Sequence, residues 1–124
     1  MPTSTPAAIV HRELTVMGGR GHVVVHGGGP GLIGQGLARL RELDSLWSRF
    51  LPDSDITRVN RAAGTPVLVR PETIGVVERA LDGWRQTAGR FDMTMLPALV
   101  QMGYTHSALS AAEAPAVPGR VVGL

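Results

Sequence analysis

The fold is decided by residues 12–26, which read RELTVMGGRGHVVVH. Residues 12–17 alternate apolar and polar side chains, and residues 22–26 form a second, valine-rich run. The intervening residues 18–21 are glycines except for one arginine. Glycine permits the left-handed backbone of a tight turn. The stretch therefore predicts two antiparallel strands joined as a β-hairpin.

Two amphipathic helices are predicted after this hairpin. Residues 32–50 repeat apolar side chains at steps of three and four and end that pattern on Phe50. Pro71 suits the first turn of the second helix, and Gly89 stands where a left-handed C-cap would end it. The second helix has four apolar residues that are expected to be buried: Ile74, Val77, Leu81 and Trp84.

Shorter elements complete the expected α+β fold, in which the helices pack on one side of antiparallel strands. Residues 67–69 predict a short strand, and Pro97 predicts the start of a third helix. Residues 1–10 are interpreted as a flexible leader and residues 11–124 as one domain. Residues 121–124 resemble a strand that lacks a partner, and we therefore expect the domain to be incomplete.

Composition excludes several classes of function. The chain has 124 residues and no cysteine, so disulfides and cysteine-ligated metals are excluded. It also lacks lysine, which rules out a Schiff base, and its net charge is only +2. The arginines are dispersed among acids, so no nucleic-acid-binding stripe is expected. The sequence has neither a signal peptide nor a membrane-spanning apolar run, and we expect a cytoplasmic protein.

The sequence contains two further motifs that could bind a ligand. Residues 29–34 form a G-x-G-x-x-G sequence between a strand and a helix, as in dinucleotide-binding Rossmann folds. The acid-ended parallel strand that should follow is replaced by helix, so a plain connection is favoured and the Rossmann alternative stays open. His22 and His26 share one strand face, while His11 and His106 are expected to be isolated. No metal site is therefore predicted.

The chemistry is indicated by two polar segments. Residues 46–60 read LWSRFLPDSDITRVN, and residues 89–97 read GRFDMTMLP. Asp53 or Ser54 is expected to cap a short helix, and Asp53 and Asn60 to hold the turn by side-chain hydrogen bonds. In order and spacing, the two segments resemble the N-terminal half of the ApbE family, the FAD:protein FMN transferases.

The resemblance implies five cofactor-binding residues. Met17 would pack on the flavin, although by sequence alone it is a strand core residue. Phe50 would offer a flat ring, or simply complete the apolar face of its helix. The remaining three, Arg90, Phe91 and Asp92, would line the FAD, with Asp92 as an acceptor and Arg90 contributing its backbone. Asp92 could instead cap the third helix. Catalytic residues are not identified.

The resemblance also implies an ApbE-like (T-fold-like) fold and a reaction. FAD would be the substrate, and Mg²⁺ would assist transfer of FMN to a threonine of an acceptor flavoprotein. The Mg²⁺ ligands would belong to a C-terminal half that follows residue 124. The alternatives are a non-catalytic FAD-binding fragment and the Rossmann-type protein.

Overall fold

The computed structural model describes residues 4–106. The chain divides into two compact units, Met1–Arg61 and Ala62–Leu124. The predicted strand at residues 121–124 lies outside the described residues.

The first unit begins with the predicted hairpin. Strand β1 (Ile9–Val16) pairs antiparallel with β2 (Gly19–His26). Val16 pairs with Gly19, so only Met17 and Gly18 form the turn. Their φ angles of 53° and 72° are those of a type I′ turn, which matches the twist of paired strands. The hairpin is confirmed, with a tighter turn than expected and with β1 beginning inside residues assigned to the leader.

Helix α1 (Leu32–Trp47) packs against both strands. Gly36 allows the close approach, since a Cβ added there would lie 3.3 Å from Val23 Cγ1. Leu14 and Val16, each 8% exposed, are the buried apolar side chains of the described residues. The alternation of the strands places them on the same face as Val23. The small core of this unit therefore lies on that face.

Helix α1 ends three residues earlier than predicted, and two hydroxyl groups bind the carbonyls that follow it. The Ser54 hydroxyl donates to the Ser48 carbonyl at 2.6 Å, and the Thr57 hydroxyl donates to the Arg49 carbonyl at 3.3 Å. Ser48 is extended, with ψ of 117°. Phe50 therefore lies in a turn, and its predicted place at the end of the helix is wrong.

The Ser54 side chain also caps the start of helix α2 (Asp55–Ala62). The Thr57 N–H donates to the Ser54 side chain at 3.1 Å, which is the N-cap arrangement. Ser54 is only 3% exposed. Capping by Ser54 is thus confirmed, whereas the role predicted for Asp53 and Asn60 in holding the turn is performed by Ser54 and Thr57.

The second unit contains helices α3 (Pro71–Gln86) and α4 (Leu96–Gln101). Both carry a proline in the first turn, as predicted. The expected burial of the α3 apolar face is wrong, because Ile74 is 51% and Trp84 48% exposed. Periodicity identifies an apolar face, but it does not supply a layer to cover that face.

Residues 67–69 do not form the predicted strand, and Leu68 is 91% exposed. Within the described residues the sheet consists of β1 and β2 alone. The α+β class is nevertheless confirmed, since antiparallel strands carry α1 on one face. No helix among residues 4–106 has the length and apolar character needed to cross a membrane.

Candidate functional site

The loop after α3 begins with two left-handed residues. Ala88 has φ of 52° and Gly89 φ of 82°. The Gly89 N–H donates to the Trp84 carbonyl at 2.9 Å, and the Ala88 N–H donates to the Arg85 carbonyl at 3.3 Å. This pair of hydrogen bonds is a Schellman motif. The predicted left-handed Gly89 is confirmed, although Ala88 takes the first left-handed position.

Thr87 ties this loop to the end of α3. Its hydroxyl donates to the Gly83 carbonyl at 2.8 Å and accepts the Phe91 N–H at 2.9 Å. The Phe91 ring lies over Gly83, where an added Cβ would be 3.1 Å from Cδ1 of the ring. Sequence reasoning missed Thr87. The sequence feature that could have identified Thr87 is its position as a hydroxyl residue directly before the Ala-Gly pair at the end of the helix.

Asp92 organises the next turn of the loop. Its Oδ1 accepts hydrogen bonds from the Thr94 hydroxyl at 2.7 Å and from the Thr94 N–H at 2.8 Å. These two bonds, the hydroxyl first, hold the pKa of Asp92 below its ordinary value of 3.8. The carboxylate is therefore charged at neutral pH. Among the described residues Thr94 alone donates to it, so Oδ2 is open to a ligand.

The alternative role for Asp92, as the cap of the third helix, is wrong. The N-cap of α4 is Met95, and no side chain caps that helix. The turn closed by Thr94 separates Asp92 from the helix start. Asp92 therefore shapes the loop that leads into α4 and presents one carboxylate oxygen outward.

Arg90 and Phe91 present side chains rather than free backbone donors. The Arg90 N–H donates to the Thr87 carbonyl at 3.2 Å, and the Phe91 N–H is bound by the Thr87 hydroxyl. The Phe91 ring is 50% exposed, and Arg90 is exposed. The N–H of Arg90 is thus already bound, which leaves its carbonyl and its guanidinium for a ligand.

Phe50 and Met17 belong to the first unit. The Arg49 guanidinium lies 4.1 Å from the centroid of the Phe50 ring, a cation–π contact that sequence reasoning missed. The ring remains 40% exposed. Met17 occupies the hairpin turn and is 53% exposed, so its interpretation as a strand core residue is wrong.

The structure brings three of the five predicted residues together. Arg90, Phe91 and Asp92 share one short loop in the second unit, whereas Met17 and Phe50 lie in two separate turns of the first. All five occupy turns or loops, where side chains are presented by a scaffold. Within the described residues, no group of three or more His, Asp or Glu side chains is placed to hold a metal ion.

The glycine-rich loop does not have the surroundings of a dinucleotide site. Its residues 27–30 line a cavity of about 210 Å³ together with apolar side chains that include Val25 and Ile33. Pockets for small molecules usually have about 300–1,000 Å³. In the described part of the chain, α2 follows α1 where a parallel strand would be needed, which disfavours the Rossmann alternative.

Comparison with known proteins identifies the family. Neither a curated protein nor a solved structure matches the chain significantly. The model of the ApbE family matches residues 14–120, which include all five candidate positions. The chain therefore belongs to the ApbE family.

Proposed function

We propose that this chain binds FAD as part of an FAD:protein FMN transferase. The observation that carries the proposal is the loop at residues 87–94, which is ordered by its own hydrogen bonds and presents an ionised carboxylate. Membership of the ApbE family supports flavin transfer as the general activity. The specific reaction, the use of FAD and a cytoplasmic location are part of the same proposal.

Asp92 is the proposed polar anchor for FAD. A charged carboxylate only accepts hydrogen bonds, so it selects N–H and O–H groups. FAD offers such donors on its flavin ring, its ribityl chain and its adenine. Because Oδ1 is held by Thr94, the carboxylate is already oriented before FAD arrives. Such preorganisation reduces the entropy lost on binding.

The aromatic side chains provide flat surfaces for the rings of FAD. The Arg49 guanidinium covers one face of the Phe50 ring, and the side chain is 40% exposed. Phe91 packs against Gly83 and is 50% exposed. Stacking on such rings contributes beyond simple area burial. We propose that these rings contact FAD, with Met17 as a further apolar contact.

Arg90 is proposed to act on the phosphates. Its N–H already binds the Thr87 carbonyl, so the exposed guanidinium is the donor group that remains for a ligand. A guanidinium pairs well with phosphate oxygens through two parallel hydrogen bonds. This refines the sequence-based expectation, which assigned the contact to the Arg90 backbone.

We assign no Mg²⁺ ligands among the described residues. No group of three or more potential ligands is placed for it among residues 4–106, so we assign no reaction step to these side chains. In the proposed transferase, Mg²⁺ would assist cleavage of the FAD pyrophosphate. The hydroxyl of a threonine of an acceptor flavoprotein would form a phosphoester with FMN, and AMP would leave as the pyrophosphate bond breaks. The residues described here bind and orient FAD.

Titration with FAD, followed by flavin fluorescence, tests this proposal. Asp92→Ala should weaken binding by about tenfold or more, because a ligand donor loses its charged acceptor. Phe50→Ala should weaken it through lost stacking. Glu78→Ala is the matched control, since it removes an exposed carboxylate of α3 that is part of no proposed FAD contact. Equal affinity in wild type and Asp92→Ala would exclude Asp92 from the site.

A second measurement separates the transferase from a non-catalytic FAD-binding fragment. The chain is incubated with FAD, Mg²⁺ and a candidate acceptor flavoprotein, and the acceptor is then examined by mass spectrometry. An added FMN mass supports the transferase. FAD binding without that addition, using an acceptor that another ApbE-family transferase does modify, supports the non-catalytic alternative.

A further inference from the structure

The exposed face of the hairpin carries a pair of histidines that the proposed flavin site does not use. His11 on β1 and His22 on β2 lie on the face opposite Leu14 and Val16, as the strand register shows. Nδ1 of His11 is 3.2 Å from Nε2 of His22. The ring centroids are 5.3 Å apart, with an interplanar angle of 72°. The expectation that His11 is isolated is therefore wrong.

The distance between these two nitrogens matches that between neighbouring ligands of one metal ion. Zinc binds histidine nitrogen at about 2.0–2.1 Å, so two nitrogens at a tetrahedral angle stand about 3.3–3.4 Å apart. At a right angle the separation is about 2.9 Å. The observed 3.2 Å lies between these values. A metal ion within reach of both nitrogens would replace the hydrogen bond between the rings.

The surroundings of the pair also favour a cation. Both rings are exposed, so water can fill the remaining coordination positions. Glu13 pairs directly with His22 across the strands and adds a carboxylate to this face. Its carboxylate lies 3.8 Å from the Arg20 guanidinium, and so is partly neutralised. The antiparallel register fixes the separation of the two histidine backbones before any metal binds.

We propose that His11 and His22 form a two-ligand site for Zn²⁺ or a similar divalent transition metal. Water or a group from a bound partner completes the coordination. Imidazole nitrogen suits such metals, whereas Mg²⁺ prefers oxygen ligands. The site is therefore separate in chemistry from the Mg²⁺ proposed for flavin transfer. It also stands if the chain proves not to bind FAD.

Titration of the full chain with Zn²⁺, followed by NMR of the histidine rings, tests the site. The resonances of His11 and His22 should shift together and saturate at one ion per chain. His11→Ala and His22→Ala should each weaken binding by more than about tenfold, since even the loss of an outer-shell partner commonly costs that much. Mg²⁺ at the same concentration should leave both rings unchanged.

His26→Ala is the matched control. His26 is also exposed on this face of β2, but it lies beyond Val24 from His22. Its removal should change Zn²⁺ affinity by less than about twofold, as expected for a residue outside the ligand set. The amide spectrum of each variant confirms that the hairpin is retained, and His11→Gln replaces any variant that loses it. Unchanged affinity in His11→Ala, or an equal loss in His26→Ala, overturns the proposal.

Discussion

Removal of the Thr87 hydroxyl should loosen the loop that carries Asp92. Thr87→Val preserves the shape of the side chain but loses the bond to the Gly83 carbonyl and the bond from the Phe91 N–H, at 2.8 and 2.9 Å. A side-chain hydrogen bond contributes about 0.5–1.5 kcal/mol, and the exposure of Thr87 favours the low end for each. We therefore expect the loop to lose about 1 kcal/mol of local stability.

Amide hydrogen exchange measures this effect directly. A loss of about 1 kcal/mol makes local opening roughly fivefold more frequent, so the Phe91 amide should exchange roughly fivefold faster. FAD affinity should fall as well, because the loop would have to be ordered on binding. Thr87→Ser is the control, since it keeps the hydroxyl and should preserve both properties. Unchanged exchange at Phe91 in Thr87→Val would refute the role of Thr87.

Two further predictions concern hydroxyl groups in the polar turns. Ser54→Ala should lower the free energy of unfolding by about 1–3 kcal/mol, because a buried cap and a 2.6 Å hydrogen bond are lost. In the same series of thermal unfolding measurements, Asn60→Ala should change the free energy of unfolding by less than about 0.5 kcal/mol. Thr94 holds the pKa of Asp92 below 3.8, so the ionised carboxylate stabilises the folded state. This stabilisation is complete above the ordinary pKa and is lost as pH falls through the lower pKa of the folded state. Thr94→Val should raise this pKa, and NMR titration of the carboxyl carbon would show it; an unchanged pKa would contradict the hydrogen-bond explanation.

The hairpin and the helix starts could be predicted because their causes are local. Alternation predicted β1 and β2, and glycine predicted the turn between them. Pro71 and Pro97 marked the first turns of α3 and α4. Each of these signals depends on the backbone geometry of a few neighbouring residues, and the types of those residues determine that geometry.

The misplacement of Phe50 has a different cause. Apolar periodicity continued to Phe50, but a longer helix would need an N–H at Pro52 to bind the Ser48 carbonyl, and the Ser54 hydroxyl binds that carbonyl instead. A contact between residues six positions apart is not visible in the period of a helix. The exposed apolar face of α3 shows the same limit, since Ile74 and Trp84 have the right spacing and no covering layer.

The candidate site was predicted through family resemblance more than through pattern. Arg90 to Asp92 were found because their motif matched, and the structure does place them on one ordered loop. Thr87 and Arg49 were missed, because a residue that orients another is recognised only from its contacts. The pairing of His11 with His22 required the strand register, which residue spacing does not supply.

The proposed function depends on FAD binding at the loop of residues 87–94. Hydrogen exchange of the full chain with and without FAD tests this binding, since it locates the ligand along the sequence. Binding at the loop should slow exchange in residues 87–94 and leave the glycine-rich residues 27–31 unchanged. Protection of residues 27–31 in place of residues 87–94 would refute this site and favour a dinucleotide-binding turn.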